Sequence, residues 1–87
     1  MEEDENKKLV GKVTHYFKKI NVVIVKISDE LSVGDEILIK GNETNFKQKV
    51  ESMQMEHQNI DKAVSGDEIG LKVVDVAREK DSVFKLE

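Results

Sequence analysis

The sequence predicts an all-β domain, a small closed six-stranded antiparallel β-barrel. Three observations predict it. The apolar residues are mostly β-branched, twelve Val and seven Ile against five Leu and two Ala, a balance that favours strands over helices. The stretch Leu31-Ser32-Val33-Gly34-Asp35-Glu36-Ile37-Leu38-Ile39-Lys40-Gly41 reads as a tight Gly-Asp turn feeding a short strand. A near copy returns at Ser65-Gly66-Asp67-Glu68-Ile69-Gly70-Leu71-Lys72-Val73, so the chain bends twice in the same way. Closure of the sheet would remove the edges that a Val-rich chain without Pro otherwise exposes.

The elements follow in order. Residues 1–7 begin with four acids and read as a disordered tail, leaving 8–87 as a single β-barrel domain. Lys8 to Phe17 is the first strand, with Leu9, Gly11, Val13, His15 and Phe17 on one parity. Lys18-Lys19 is an exposed turn. Ile20 to Ile27 is the most apolar run; its lack of alternation predicts a strand covered on both faces for part of its length. Ser28 to Glu30 is a polar turn before the first glycine bend and the third strand, Glu36–Lys40. The loop 41–45 leads to a fourth strand, Phe46 to His57, in which Phe46, Gln48 and Val50 share one parity while Met53 and Met55 share the other. A bulge near Glu51-Ser52 would reconcile the two sets. Gln58 to Val64 reads as one helical turn, with Ile60 and Ala63 plugging the core. Asp67 to Val76 is the fifth strand, where Gly70 marks a bulge or close backbone packing. After the charged turn Ala77–Asp81, Ser82 to Leu86 is a final strand expected beside the first.

Composition excludes several classes of chemistry. With no Cys there are neither disulfides nor thiolate metal sites. No apolar run approaches the roughly 18 residues of a membrane span, and the acidic start does not resemble a signal peptide. The chain therefore reads as cytoplasmic. Its net charge of −4 argues against a general nucleic-acid coat. The charge is unevenly spread, however. Residues 7–49 carry nine Lys against five acids, a local +4, while residues 50–87 carry a local −4.

No nucleophile, base and orienting group come together in the sequence, so the reading is non-catalytic, without cofactor or metal. His15, His57 and Glu56 would make a metal site only if the first strand met the end of the fourth. Met53 and Met55 read as core, and the acids of the two Gly-Asp-Glu bends as turn residues. The contact candidates are Lys18, Lys19, Lys47 and Lys49, joined by Lys40. With Tyr16, Phe17 and Phe46 they would offer phosphate contacts and stacking platforms for single-stranded RNA. Against this, the chain has one Arg, Arg78, and Arg is the better phosphate ligand.

Val13 to Phe17 entering the Ile20–Ile27 strand, then Leu31 to Ile37, then Met53-Gln54-Met55, Ile60 and Ser65 to Leu71, together resemble the second domain of translational GTPases. That is the barrel of elongation factor Tu and initiation factor two. The phrase Gly11-Lys12-Val13-Thr14-His15-Tyr16-Phe17 is more similar still to the domain at the C-terminus of collagenase-like peptidases and to stand-alone translation-elongation-factor-like proteins. The resemblance covers residues 9–87 and implies the translation-protein type of barrel. It also implies a role near RNA, tRNA or the ribosome, with Thr14, His15 and Phe17 at the positions that hold the aminoacylated tRNA end. Only Phe17 keeps the type found there, and there is no G-x-x-x-x-G-K-[ST] loop, so no nucleotide is expected.

The expected function is thus a binding module of the translation-factor type, contacting RNA or a partner through Thr14, His15, Tyr16, Phe17, Lys18, Lys19, Phe46, Lys47 and Lys49. The alternative is a protein-interaction domain related to the one appended to peptidases, with an exposed apolar patch.

Overall fold

The computed structural model describes residues 7–86; residues 1–6 of the expected acidic tail lie outside them. The described residues form β1 (Lys7–Phe17), β2 (Val22–Ile27), β3 (Leu31–Ser32), β4 (Glu36–Lys40), β5 (Asn45–Lys49), β6 (Met53–Met55), β7 (Gln58–Ile60), β8 (Lys62–Ala63), β9 (Glu68–Lys72) and β10 (Ser82–Leu86), with no helix among them. Eight strands join in one antiparallel sheet in the order β5-β4-β10-β1-β2-β9-β6-β7, and β3 pairs with β8 apart from it.

The fold is all-β as expected, but the sheet is not the closed six-stranded cylinder. Its ladder ends on two edge strands, β5 and β7. At the β5 edge a side chain takes the place of a ladder. Gln48 donates from Nε2 to the Lys72 carbonyl at 2.9 Å and accepts the Val74 N–H on Oε1, also at 2.9 Å. One amide therefore stitches the edge to the chain leaving β9.

The expected fourth strand is two strands with different partners. β5 pairs with β4, whereas β6 pairs with β9 and β7. The parity conflict is thus resolved by a change of partner at Val50, not by a bulge. Val50 is buried, its N–H donates to the Asp35 carbonyl and its own carbonyl accepts from Gly34, each at 2.8 Å. The expected helical turn is extended chain instead. Gln58 folds back on Met55 through a two-residue turn whose central residues, Glu56 and His57, both have positive φ. That is the turn geometry that matches the twist of a tight hairpin. Ala63 is buried and Ile60 packs against the core, as expected.

Both glycine bends are present and are built alike. Asp35 Oδ2 accepts the Ser32 N–H at 2.9 Å, and Asp67 Oδ2 accepts the Val64 N–H at 3.0 Å. The second bend is clamped as the first is: Gly66 donates to the Ile27 carbonyl at 2.9 Å and Ile27 to the Asp67 carbonyl at 2.8 Å. The first bend is therefore held by Val50, just past β5, and the second by Ile27 at the end of β2. Leu31 faces Ala63 where the two bends meet, and both side chains are buried.

β1 decides what the surface displays. It changes register between Leu9 and Gly11 against β10, and again between Val13 and His15 against β2. Each shift is a bulge that turns the following side chains over. Val10 and Val13 are buried and Tyr16 packs against the core, whereas Leu9 and Phe17 are exposed. Leu9, Gly11, Val13, His15 and Phe17 therefore share one parity in the sequence but not one face of the sheet, because the strand switches phase twice. Bulging occurs at Val10 and Thr14 rather than at Gly70, whose neighbours keep register on both sides.

Candidate functional site

The second bulge sets the residues around Tyr16. Thr14, unpaired in the bulge, donates its hydroxyl to the Ile24 carbonyl at 3.3 Å. His15 and Phe17 then lie on the outer side of β1 with ring centroids 4.8 Å apart and planes inclined by 45°. His15 Nδ1 lies 3.5 Å from a carboxylate oxygen of Glu79. Tyr16 points the other way, onto the core, and its hydroxyl reaches Asn21 Oδ1 at 3.5 Å. Lys18, Lys19 and Ile20 form the exposed turn into β2, and Asn21 closes it with a φ of 56°.

A second segment packs beside this turn. After Val73 the chain leaves the sheet, with Val73 donating to the Asn21 carbonyl at 2.8 Å. Val73 and Ala77 are buried, so the segment is anchored at two points while Val74 and Val76 between them stand in solvent. Asp81, only 4% exposed, accepts the Arg78 N–H at 2.8 Å and ends the segment in a turn. That turn docks on the bulged strand: Lys80 donates to the Val13 carbonyl at 2.7 Å and Val13 to the Asp81 carbonyl at 2.8 Å.

Two shallow hollows result. One, of about 540 Å³, is walled by Tyr16, Lys18, Val76, Ala77, Arg78 and Glu79. The other, of about 470 Å³, runs along Tyr16, Phe17, Lys18, Lys19 and Ile20, and its walls are almost wholly carbon. They share Tyr16 and Lys18 and form one continuous face.

Of the nine residues expected at a contact surface, Tyr16 to Lys19 line these hollows, while Thr14 and His15 precede them on β1 and line neither. The other three lie elsewhere. Phe46 packs against the core, Lys47 lines a separate hollow with Lys7, Leu38 and Lys40, and Lys49 lines another with Gln48, Glu51 and Lys72. Strand alternation puts Lys47 and Lys49 on the outer side of β5, away from Phe46. Ile20, Val76, Arg78 and Glu79 belong to the face although the sequence reading did not single them out. A signal was available: Val74 and Val76 share the parity of exposed Lys72, opposite to buried Leu71 and Val73. Among the described residues no group of His, Asp and Glu has the geometry to hold a metal ion. No described helix is long and apolar enough to cross a membrane.

No family model matches the chain. In sequence it is 35% identical over 78 residues to an uncharacterized protease of Methanocaldococcus jannaschii, a match covering 88% of this chain and 19% of that protein. It is 37% identical over 83 residues to a collagenase of Porphyromonas gingivalis, covering 93% of this chain and 23% of the relative. The chain therefore spans about a fifth of the length of the curated relatives it matches. In fold it is similar to the C-terminal domain of a Geobacillus thermoleovorans protein assigned as a U32 peptidase. The TM-score is 0.86 at 23% identity, over 92% of this chain and 93% of that one. These likenesses support the resemblance to a domain of collagenase-like peptidases. They give no support to the translation-factor assignment.

Proposed function

We propose that this chain is a non-catalytic, polypeptide-binding accessory domain of the kind that collagenase-type peptidases carry. The reading is carried by the partial match: nearly the whole chain corresponds to about a fifth of proteins named protease and collagenase. The structure is consistent with a separate module, since one continuous core runs from Val10 on β1 to Val83 on β10. The polar groups nearest the exposed face are already engaged in holding the fold. Thr14 is bonded to Ile24, His15 sits against Glu79 and Phe17, and Asp81 is bonded to Arg78. What is left for a ligand is apolar surface with a basic rim, which suits binding better than bond cleavage.

The test uses the purified chain with fluorescently labelled casein and gelatin. Retention on the immobilised polypeptides without release of fragments is the expected result. Fragment release that grows with chain concentration and survives repurification would make the chain a peptidase. Absence of both retention and cleavage would remove the accessory reading.

A further inference from the structure

We infer that the face made by Tyr16, Phe17, Ile20 and Val76 docks an acidic polypeptide segment carrying aliphatic or aromatic anchors. This deepens the accessory reading and rests on it. Phe17, Ile20 and Val76 are 43%, 59% and 56% exposed, three of the seven large apolar side chains exposed among the described residues. They gather on two segments that the Val73–Asn21 bond and the buried Ala77 hold together. Val74, on the same segment as Val76, lines the hollow of Gln48 and Lys49 instead. A contiguous apolar patch on a rigid base is the usual mark of an interaction site.

Charge selects the partner. Arg78 Nη2 holds Glu43 at 2.9 Å and Glu79 lies against His15, while Asp75, without a basic partner among the described residues, lines neither hollow. Lys18 and Lys19 have no carboxylate within ion-pair distance among the described residues, although the chain as a whole carries −4. The face is thus an apolar floor with two uncompensated positive charges on its rim. An acidic segment with apolar anchors complements both features, burying carbon in the hollows and placing carboxylates on the lysines. A nucleic-acid strand fits it less well. Successive phosphates need a track of cations, whereas Lys47 and Lys49 line other hollows and Arg78 is committed to Glu43.

The test is an amide NMR titration of the intact chain with three probes. They are a short Glu- and Asp-rich peptide bearing Leu and Phe, the same peptide with Lys in place of its acids, and an oligouridylate. The acidic peptide is expected to move the amides of residues 16–20 and 74–79, less so as salt is raised. Ile20→Asp or Val76→Asp should weaken it by about tenfold or more. Lys18→Glu with Lys19→Glu should weaken it too while leaving the apolar floor intact. No movement at these amides, or an equal response to the Lys peptide, overturns the inference. So does an oligouridylate response without a peptide response, which assigns the face to nucleic acid. Shifts that depend on the concentration of the chain alone would assign it to a second copy. Casein or gelatin retention that is undiminished in Val76→Asp overturns the location and leaves the accessory reading standing. Loss of all polypeptide binding in the unaltered chain removes both.

Discussion

Gly41→Ala is expected to destabilise the domain by about 2–4 kcal/mol, a fall in Tm on the order of 10–20 °C. Gly41 follows β4 and donates its N–H to the Thr44 carbonyl at 2.8 Å, so its backbone is fixed. A Cβ there would overlap Oδ1 of Asp81 and stand 2.7 Å from its Cγ. Asp81 cannot swing away freely. It is buried and holds the Arg78 N–H, so moving it leaves that donor unpaired and adds a polar penalty to the steric one. Urea unfolding of Gly41→Ala, Asp81→Ala and the double variant checks this. The overlap needs both side chains, so the double variant should be less destabilised than the two single effects together. An unchanged midpoint for Gly41→Ala, or strict additivity, would refute the contact. Because the Asp81 turn docks on Val13 beside the second bulge, the same change should also loosen the face around Tyr16.

Gly34→Val should destabilise by about 2 kcal/mol for a different reason. Gly34 has a φ of +98° and a Cβ there would meet nothing within 4 Å, so the cost is purely conformational. The bend cannot relax, because Gly34 and Asp35 are both bonded to Val50 and Asp35 also holds Ser32. A β-branched side chain is the worst occupant of such a backbone. Gly66, at φ +99° with equally open space, is expected to respond to the same substitution by a similar amount. Unfolding midpoints of the two variants test the repeat directly. A loss at one bend and none at the other would show that the two are not equivalent.

The two bends were legible because a short Gly-Asp phrase fixes backbone and side-chain bonding locally. Gly34 and Gly66 supply the positive φ, and Asp35 and Asp67 bond three residues back. The packing of Met53 on the core and the pairing of β10 with β1 were legible for a similar reason, since alternation and composition leave few arrangements. Closure was not legible. Whether β5 finds a ladder partner depends on where β9 ends, and Gln48 meets that end with its side chain instead. Nor was the phase of β1 legible. Val10 and Thr14 fall out of the pairing because of what lies beside them, and no periodicity within Lys8–Phe17 marks the skipped positions. The phase switch at Thr14 puts Phe17 outside although Val13, of the same parity, is buried, which places an aromatic ring on the face that the basic turn borders. The residues from the second segment escaped because Val74 and Val76 read as the end of a strand. That strand stops at Lys72, and the next four residues arch over the turn instead.

Tyr16 offers the most direct measurement. It is the only tyrosine in a chain without tryptophan, so its emission reports from the proposed face alone. Titration with an acidic peptide free of Tyr and Trp should change that emission saturably, and the change should vanish in Val76→Asp. Peptide binding seen by calorimetry with Tyr16 emission unchanged, or an emission change that survives Val76→Asp, would contradict docking on this face.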